Sequence, residues 1–338
     1  MIVVKANGYG HGSLNIAKYL SDEPGIIFCV FTIQEGIELR REGINNPILI
    51  FSRIHKDWIA LAINYKLWVN ACHQDDLFIL DQFHKENGNC PEIHLKFDTG
   101  MTRLGFDHKE TKKVIKYLSE HTYLPVNGIY SHFATADEGD LSYADSQLKK
   151  FNRILDICKD SGKQFGYIHC SNSGAVLNLP NSLFNTVRVG MLAYGIAPSD
   201  EVTMNINLEP VMSFCGPIVN IRRVEAGTQI SYGGVYKTTR STNIGVIQTG
   251  FADGFPRPWY ENGYISYKGD PYNIAGRVCM DQFMVDFGDA VPELGDEVLI
   301  FGKKDEDHIP VETIAKSIGT TTYVLLTAIQ GRTDLVII

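Results

Sequence analysis

The segment VVKANGYGHG, Val3 to Gly12, ends an apolar run in one lysine and follows it with a small-residue turn that opens a helix. A lysine charge is expensive to desolvate, so Lys5 has two readings. It snorkels from a strand edge, or it is held dry, deprotonated and nucleophilic, as Schiff-base chemistry requires. Polar residues recur in equivalent places along the chain. Lys96 and Asp98 close EIHLKFD, and Arg103 follows in FDTGMTRLGF. His132 closes an apolar run in YSHFATAD, Asn172 and Ser173 follow YIHCS, and Arg188, Gly190 and Met191 lie in VRVGMLAYG. Such groups, far apart in sequence and each at the end of an apolar run, are hard to explain by packing alone.

Those ends must be positioned by a repeated element. The first 200 residues alternate strand-like runs with amphipathic helical stretches. The strands expected are 2–5, 26–32, 47–52, 67–71, 92–98, 124–133, 167–171 and 184–190, with helical patterns such as IQEGIELRREG, KDWIALAINYK, KETKKVIKYLSEH and YADSQLKKFNRILDICKDSGK between them. Val-, Ile- and Phe-rich runs of this kind fit parallel strands covered on both faces. The reading is an α/β chain: an N-terminal (β/α)8 barrel over 1–200, with a doubly wound open sheet as the alternative. A barrel collects its functional groups at the C-terminal ends of its strands, where the polar residues above fall. Ser173 and the backbone amides near Gly190 would suit a phosphate. A phosphate site beside a strand-end lysine points to pyridoxal 5'-phosphate.

After Ser199 the texture changes to short alternating segments with Gly and Pro turns: SFCGPIVNIRRV, TNIGVIQTGF, YNIAGRVCMDQFMVDFG and DEVLIFG. They predict a mainly antiparallel β domain over 201–338, entered through a linker at 201–207 and interrupted by one helix at 311–319. Hydrophobic residues make up 44% of the 338 and charged ones 21%, a globular composition. The formal charge of −8 argues against nucleic acid or an anionic membrane as main partner. No membrane-length apolar run and no secretory leader is visible. The seven cysteines are scattered without a CxxC pair, so no metal site or disulfide framework is expected, and the compartment expected is the cytoplasm.

The blocks VVKANGYGHG, KFDTGMTRLGF, YSHFATAD, HCSNSGAVL, VRVGMLAYG, ISYGGVY, TGFADGFPR and GRVCMDQFMVDFG, in this order from Val3 to about Tyr323, resemble the alanine racemase family of fold-type III pyridoxal-phosphate enzymes. The resemblance implies racemisation of L- and D-alanine, D-alanine for peptidoglycan, and a homodimer with shared active sites. It implies that Lys5 binds the cofactor as a Schiff base and works as the base on one face of the substrate. Tyr232, in ISYGGVY, would come from the second copy and work on the opposite face. Arg188 would bond the cofactor's ring nitrogen, with His132 behind it near the Tyr232 phenol. Tyr9, Asn172, Ser173, Gly190, Met191 and Tyr323 would hold the cofactor, chiefly at its phosphate. Arg103 would orient the cofactor phenolate and the substrate carboxylate. Met280 and Asp281 would reach the substrate from the second copy. Lys96 matches a position that family members often carbamylate, where the added carboxylate steadies Arg103.

These types suit the chemistry. Racemisation removes a proton from one face of Cα and returns one to the other, which two opposed bases do without moving the substrate. Positive charge and hydrogen bonding from Arg188 and His132 would help Tyr232 act as one of them. The sequence departs from the family pattern in three places. The strand and helix that normally precede the lysine block do not appear before Met1. Phe251 stands in TGFADG where tyrosine is usual, and AIQGRTDLVII replaces an Arg-Val-Pro-Arg segment. A serine racemase of the glycopeptide-resistance type shares the same blocks. Tyr323 separates the two, since a tyrosine there suits a methyl side chain and an asparagine would favour serine.

Overall fold

The computed structural model describes residues 1–338, which divide into two units: Met1–Gly8 with Ser13–Glu209, and Tyr9–Gly12 with Pro210–Ile338. In the first unit the expected apolar runs form parallel strands Ile2–Val3, Phe28–Val30, Ile48–Arg53, Trp68–Ala71, Ile93–Asp98, Val126–Tyr130 and Tyr167–His169, paired in chain order. Helices Ile33–Arg41, Ile59–Asn64, Gln74–Asn87, Thr111–Glu120 and Ser142–Asp160 separate them. Parallel bridges His169 to Thr186 and Ile2 to Val189 join the last strand to the first and close the barrel.

The eighth strand, expected over 184–190, is reduced to those two bridges. The Asn185 side chain takes over part of the ladder: its Oδ1 accepts from the Ile168 amide at 2.8 Å, and its Nδ2 donates to the Gly166 carbonyl at 2.9 Å. The segment still runs along its neighbours, because the Arg188 amide donates to the Ser171 carbonyl at 3.0 Å and the Val189 amide to the Met1 carbonyl at 2.9 Å.

Strand alternation sorts side chains into an outer apolar set and an inner polar one. Along Ile93–Asp98, the buried Ile93, Leu95 and Phe97 alternate with His94 and Lys96. Register places His94 opposite Asn70 and Gly128, Lys96 opposite Tyr130, and Tyr130 opposite His169. Contacts between strands that are not neighbours show that this second set fills the barrel interior. Trp68 lies 4.9 Å from Tyr167 between ring centroids, and the Tyr130 hydroxyl donates to Asn70 Oδ1 at 3.0 Å.

In the second unit an antiparallel sheet runs in the order Tyr264–Tyr267, Asp270–Ile274, Phe283–Gly288, Thr242–Ile247, Phe214–Val224, Glu297–Lys304 and Asp307–Ile309. A Ser266–Leu299 pairing links the first of these strands to Glu297–Lys304 and curls the sheet into a barrel-like form. A separate hairpin, Gln229–Ile230 with Tyr236–Lys237, carries Tyr232 in its turn. Tyr236 ties the hairpin down by donating to Asp286 Oδ2 at 2.5 Å. The helix expected at 311–319 is Val311–Ser317, and a second, Thr322–Ala328, was not expected. No helix is long and apolar enough to cross a membrane.

Gly128 shows how tightly the inner polar set is packed. A Cβ there would lie 2.1 Å from Nδ1 of His94, whose ring stacks on Trp68 at 5.0 Å. Gly128→Ala should therefore lower stability by about 1–3 kcal/mol through overpacking, read as a lower urea midpoint with an unchanged slope.

Candidate active site

Lys5 follows the strand Ile2–Val3, and behind it the backbone turns the wrong way for L-residues. Ala6, Asn7, Gly8 and Tyr9 all have φ between 52° and 62°, a left-handed turn. Each non-glycine residue in that conformation costs roughly 1–2 kcal/mol, so the turn must be held by its surroundings. The Gly8 amide donates to the Val4 carbonyl at 2.9 Å, and Asn7 Oδ1 accepts from the Ser13 amide at 3.1 Å. Burial lowers the pKa of the Lys5 amine, the nearby Arg103 cation adds to the shift, and Glu35 opposes it.

Arg188, 3% exposed, sits among acceptors inside the barrel. One terminal nitrogen donates to His169 Nδ1 at 2.7 Å and to the His169 carbonyl at 3.1 Å. The other donates to the carbonyls of Ser131 at 2.7 Å and Cys170 at 3.0 Å, and to His132 Nδ1 at 3.1 Å. Because arginine only donates, these bonds assign the tautomers. His169 Nδ1 accepts, so its Nε2 carries the proton and donates to His94 Nδ1, 3.0 Å away. His94 then carries its own proton on Nε2. His132 Nδ1 also accepts, leaving its Nε2–H as a donor. Burial, reinforced by Arg188, holds His132 and His169 well below the usual histidine range and His94 at about 3. All three rings are neutral, and Tyr130 completes the layer by stacking on His169 at 4.7 Å.

Two further cations stand at the end of Ile93–Asp98. The chain leaves at Asp98 and returns so that Phe106 and Asp107 pair beside Phe97 and Asp98, which forms a tight loop carrying Arg103. Asp98 Oδ1 accepts from the amides of Gly100 at 2.8 Å and Thr102 at 3.1 Å. Lys96 is 8% exposed, with its amine 5.6 Å from the Tyr130 ring centroid. Burial, then Arg103 and Arg188, push its pKa down to about 8. At the other strand ends, Ser173 Oγ accepts from the Gly190 amide at 3.1 Å, beside the buried Met191. Asn172 caps the helix Ser173–Asn178, its Oδ1 accepting from the Ala175 amide at 3.0 Å.

The first unit thus brings together Lys5, Lys96, Arg103, His132 and Arg188, and separately Asn172, Ser173, Gly190 and Met191. The remaining candidates belong to the second unit. Tyr9 and Tyr323 have ring centroids 5.9 Å apart. Tyr232 is 68% exposed, and Met280 and Phe251 are exposed as well. Asp281 is braced by a residue that the sequence reading did not single out. Arg332 donates to Asp281 Oδ1 at 2.6 Å and to Asp253 Oδ1 at 2.6 Å, while the amides of Phe251 and Ala252 donate to the carbonyls of Cys279 and Met280. His94, Tyr130 and His169 were missed too. Extending the alternation back from Lys96 to His94, and reading His169 in YIHCS, would have found the histidines.

The donor set suits an anionic aromatic cofactor. A depressed amine is available for covalent capture, the Arg103 cation acts on it, and the Arg188 bonds use both terminal nitrogens and leave Nε for an outside acceptor. Residues 1–198 match the family described as "Alanine racemase, N-terminal domain" and residues 211–337 "Alanine racemase, C-terminal domain". The chain belongs to the alanine racemase family. Alanine racemase from Desulforamulus reducens is 38% identical over 98% of this chain and 90% of its own length, and that from Carboxydothermus hydrogenoformans is 36% identical over the same shares. Among solved structures, alanine racemase of Clostridium difficile 630 aligns with a TM-score of 0.91 at 35% identity, covering 97% of this chain and 86% of that one. The Bartonella henselae alanine racemase, with covalently bound pyridoxal phosphate, aligns with a TM-score of 0.87 at 26% identity, covering 98% and 90%. The fold class, the amino-acid racemase class and the cofactor expected from the sequence are those of this family.

The Lys96 shift gives a test of sign. Between about 8 and its ordinary 10.5, the unfolded chain keeps a lysine proton that the folded chain has released, so stability rises with pH across that window. Against Lys96→Met, the parent should gain relative stability as pH rises through the window, measured by urea unfolding. A pH-independent difference would contradict the assignment.

Proposed function

We propose that this protein interconverts L- and D-alanine with pyridoxal 5'-phosphate by a two-base mechanism, using Lys5 of one copy and Tyr232 of a second. The observation that carries this reading is the half-buried Lys5 amine at a strand exit, lowered in pKa beside Arg103. When bound, the cofactor supplies the electron sink that makes the substrate's Cα–H acidic. Lys5, lowered toward its working range, then moves the proton on one face. Tyr232, exposed on its hairpin, serves the other face from the second copy. Arg103 orients the substrate carboxylate. Arg188 presents a permanent cation to the ring nitrogen and so disfavours its protonation, which weakens the sink and limits side reactions. His132, neutral and with Nε2–H as donor, stands ready to steady the Tyr232 phenolate.

In this reading residues 1–200 hold the cofactor through Lys5, Tyr9, Asn172, Ser173, Gly190 and Met191, while 201–338 supply Tyr323, Met280 and Asp281. The enzyme works as a cytoplasmic homodimer, and its D-alanine feeds peptidoglycan. Lys96 is proposed as a carbamylation site, because an amine held at about 8 is partly unprotonated near neutral pH and can add carbon dioxide.

Chiral analysis of products from L-alanine and from L-serine, with cofactor added, tests the activity. Strong D-alanine with weak D-serine is the expected result; dominant D-serine would reassign the substrate. The two faces are tested by α-proton exchange into deuterated water. Tyr232→Phe should slow exchange from L-alanine about 10²–10⁴-fold while sparing D-alanine. Equal losses from both enantiomers would reject the assignment of faces.

A further inference from the structure

The left-handed turn after Lys5 is tied to a neighbouring strand exit by one side chain. Glu35 lies in the first turn of helix Ile33–Arg41, where its Oε2 accepts from the amides of Phe31 at 2.8 Å and Thr32 at 2.9 Å. Thr32 Oγ1 accepts in return from the Glu35 amide at 3.2 Å, so the pair closes a capping box. A capping glutamate needs no further partner, yet Oε1 reaches across to accept from the Ala6 amide at 2.7 Å. That amide belongs to the Lys5–Ala6 peptide. Fixing the plane of that peptide fixes the backbone torsion of Lys5, and with it the direction in which the side chain leaves the strand. Of the turn's side-chain and backbone bonds, those of Gly8 and Asn7 stay within residues 4–13. Glu35 alone among these three anchors the turn from a distant part of the chain. It is also the one anion among the named charges acting on the Lys5 amine, where Arg103 acts in the opposite sense.

We propose that Glu35 is a positioning residue for Lys5: its carboxylate clamps the Lys5–Ala6 peptide and holds the strained turn in the form that presents the Lys5 amine. The proposal rests on the reading of Lys5 as the cofactor lysine. The competing account, in which Glu35 only caps its helix, makes Thr32→Ala an informative control. Thr32→Ala weakens the same capping box and leaves the Ala6 bond in place. Glu35→Gln keeps the shape but offers one amide oxygen to three backbone donors and opposes one of them with an NH₂ group.

Two readouts separate the accounts. Amide hydrogen exchange at Ala6, followed without cofactor, reports the clamp itself. Capture of pyridoxal 5'-phosphate at Lys5, trapped by borohydride and located by peptide mass, reports presentation of the amine. Glu35→Gln should speed Ala6 exchange and slow capture by about tenfold each, as loss of a charge-assisted hydrogen bond implies, and lower kcat with KM for alanine little changed. Thr32→Ala should leave both readouts at the parent level even where it lowers the melting temperature. If Glu35→Gln does not fold, Glu35→Asp replaces it, because an aspartate can still cap the helix but is a methylene too short for Ala6. Capture at the parent rate in a Glu35 variant with a faster-exchanging Ala6 amide would overturn the positioning role while leaving the racemase reading intact. Failure of the parent itself to capture the cofactor at Lys5 would overturn both.

Discussion

Arg188 is a permanent cation buried in the barrel, and the arrangement of the interior follows from the need to satisfy it. Its terminal nitrogens take three backbone carbonyls and two histidine nitrogens as acceptors. A desolvated guanidinium would be costly without that full set, and removing one member would leave charge uncompensated. The consequence travels outward through protons. Since Arg188 can only donate, His169 and His132 must accept on Nδ1, and each then has a single proton at a known place. His94 inherits its tautomer from His169. The polar layer is thereby directional: neutral rings point away from one fixed charge, and burial keeps them from taking up protons of their own.

Lys5 is governed by the opposite logic. Its charge is conditional, and the fold weakens it by burial and by a like charge at Arg103. The position is set by backbone strain. Several left-handed residues in a row, two of them alanine and tyrosine, are unfavourable in isolation, so the turn persists because bonds from Val4, Asn7 and Glu35 hold it. A rigid charge behind the site and a tunable amine at its edge are complementary devices, and both are delivered by strand ends of one barrel.

Much of this was legible in the sequence because parallel strands write their ends plainly. Lys5, Lys96, His132 and Arg188 each stand at or just beyond an apolar run, and seven of the eight runs became strands whose ends lie within three residues of those expected. The change of texture after Ser199 announced antiparallel strands, though the short hairpin holding Tyr232 was not among the segments read as strands. What escaped was structure made by side chains acting on backbone. Asn185 breaks up the eighth strand by substituting its amide for the ladder, and the run FNTVRVG carries no sign of this. The helix Thr322–Ala328 begins in a run of threonines and holds the apolar stretch YVLL, a composition equally suited to a strand. Glu35 acts on a peptide group 29 positions away, and no pattern of residue types marks a backbone amide as needing a partner.

The charge balance of the site explains why an anionic ligand belongs there. The chain carries a formal −8, yet Arg103 lies close enough to Lys5 to lower its pKa, and Arg103 and Arg188 close enough to Lys96 to do the same. Positive groups gathered against the overall charge are unfavourable to the empty fold, since each desolvated cation is also repelled by the others. A phosphate, a phenolate and a substrate carboxylate would each relieve part of that repulsion. Histidines held neutral in the same layer, by burial first and by Arg188 second, avoid adding to it. A negatively charged cofactor and substrate held among these groups, as proposed, would gain from removal of that repulsion as well as from new contacts.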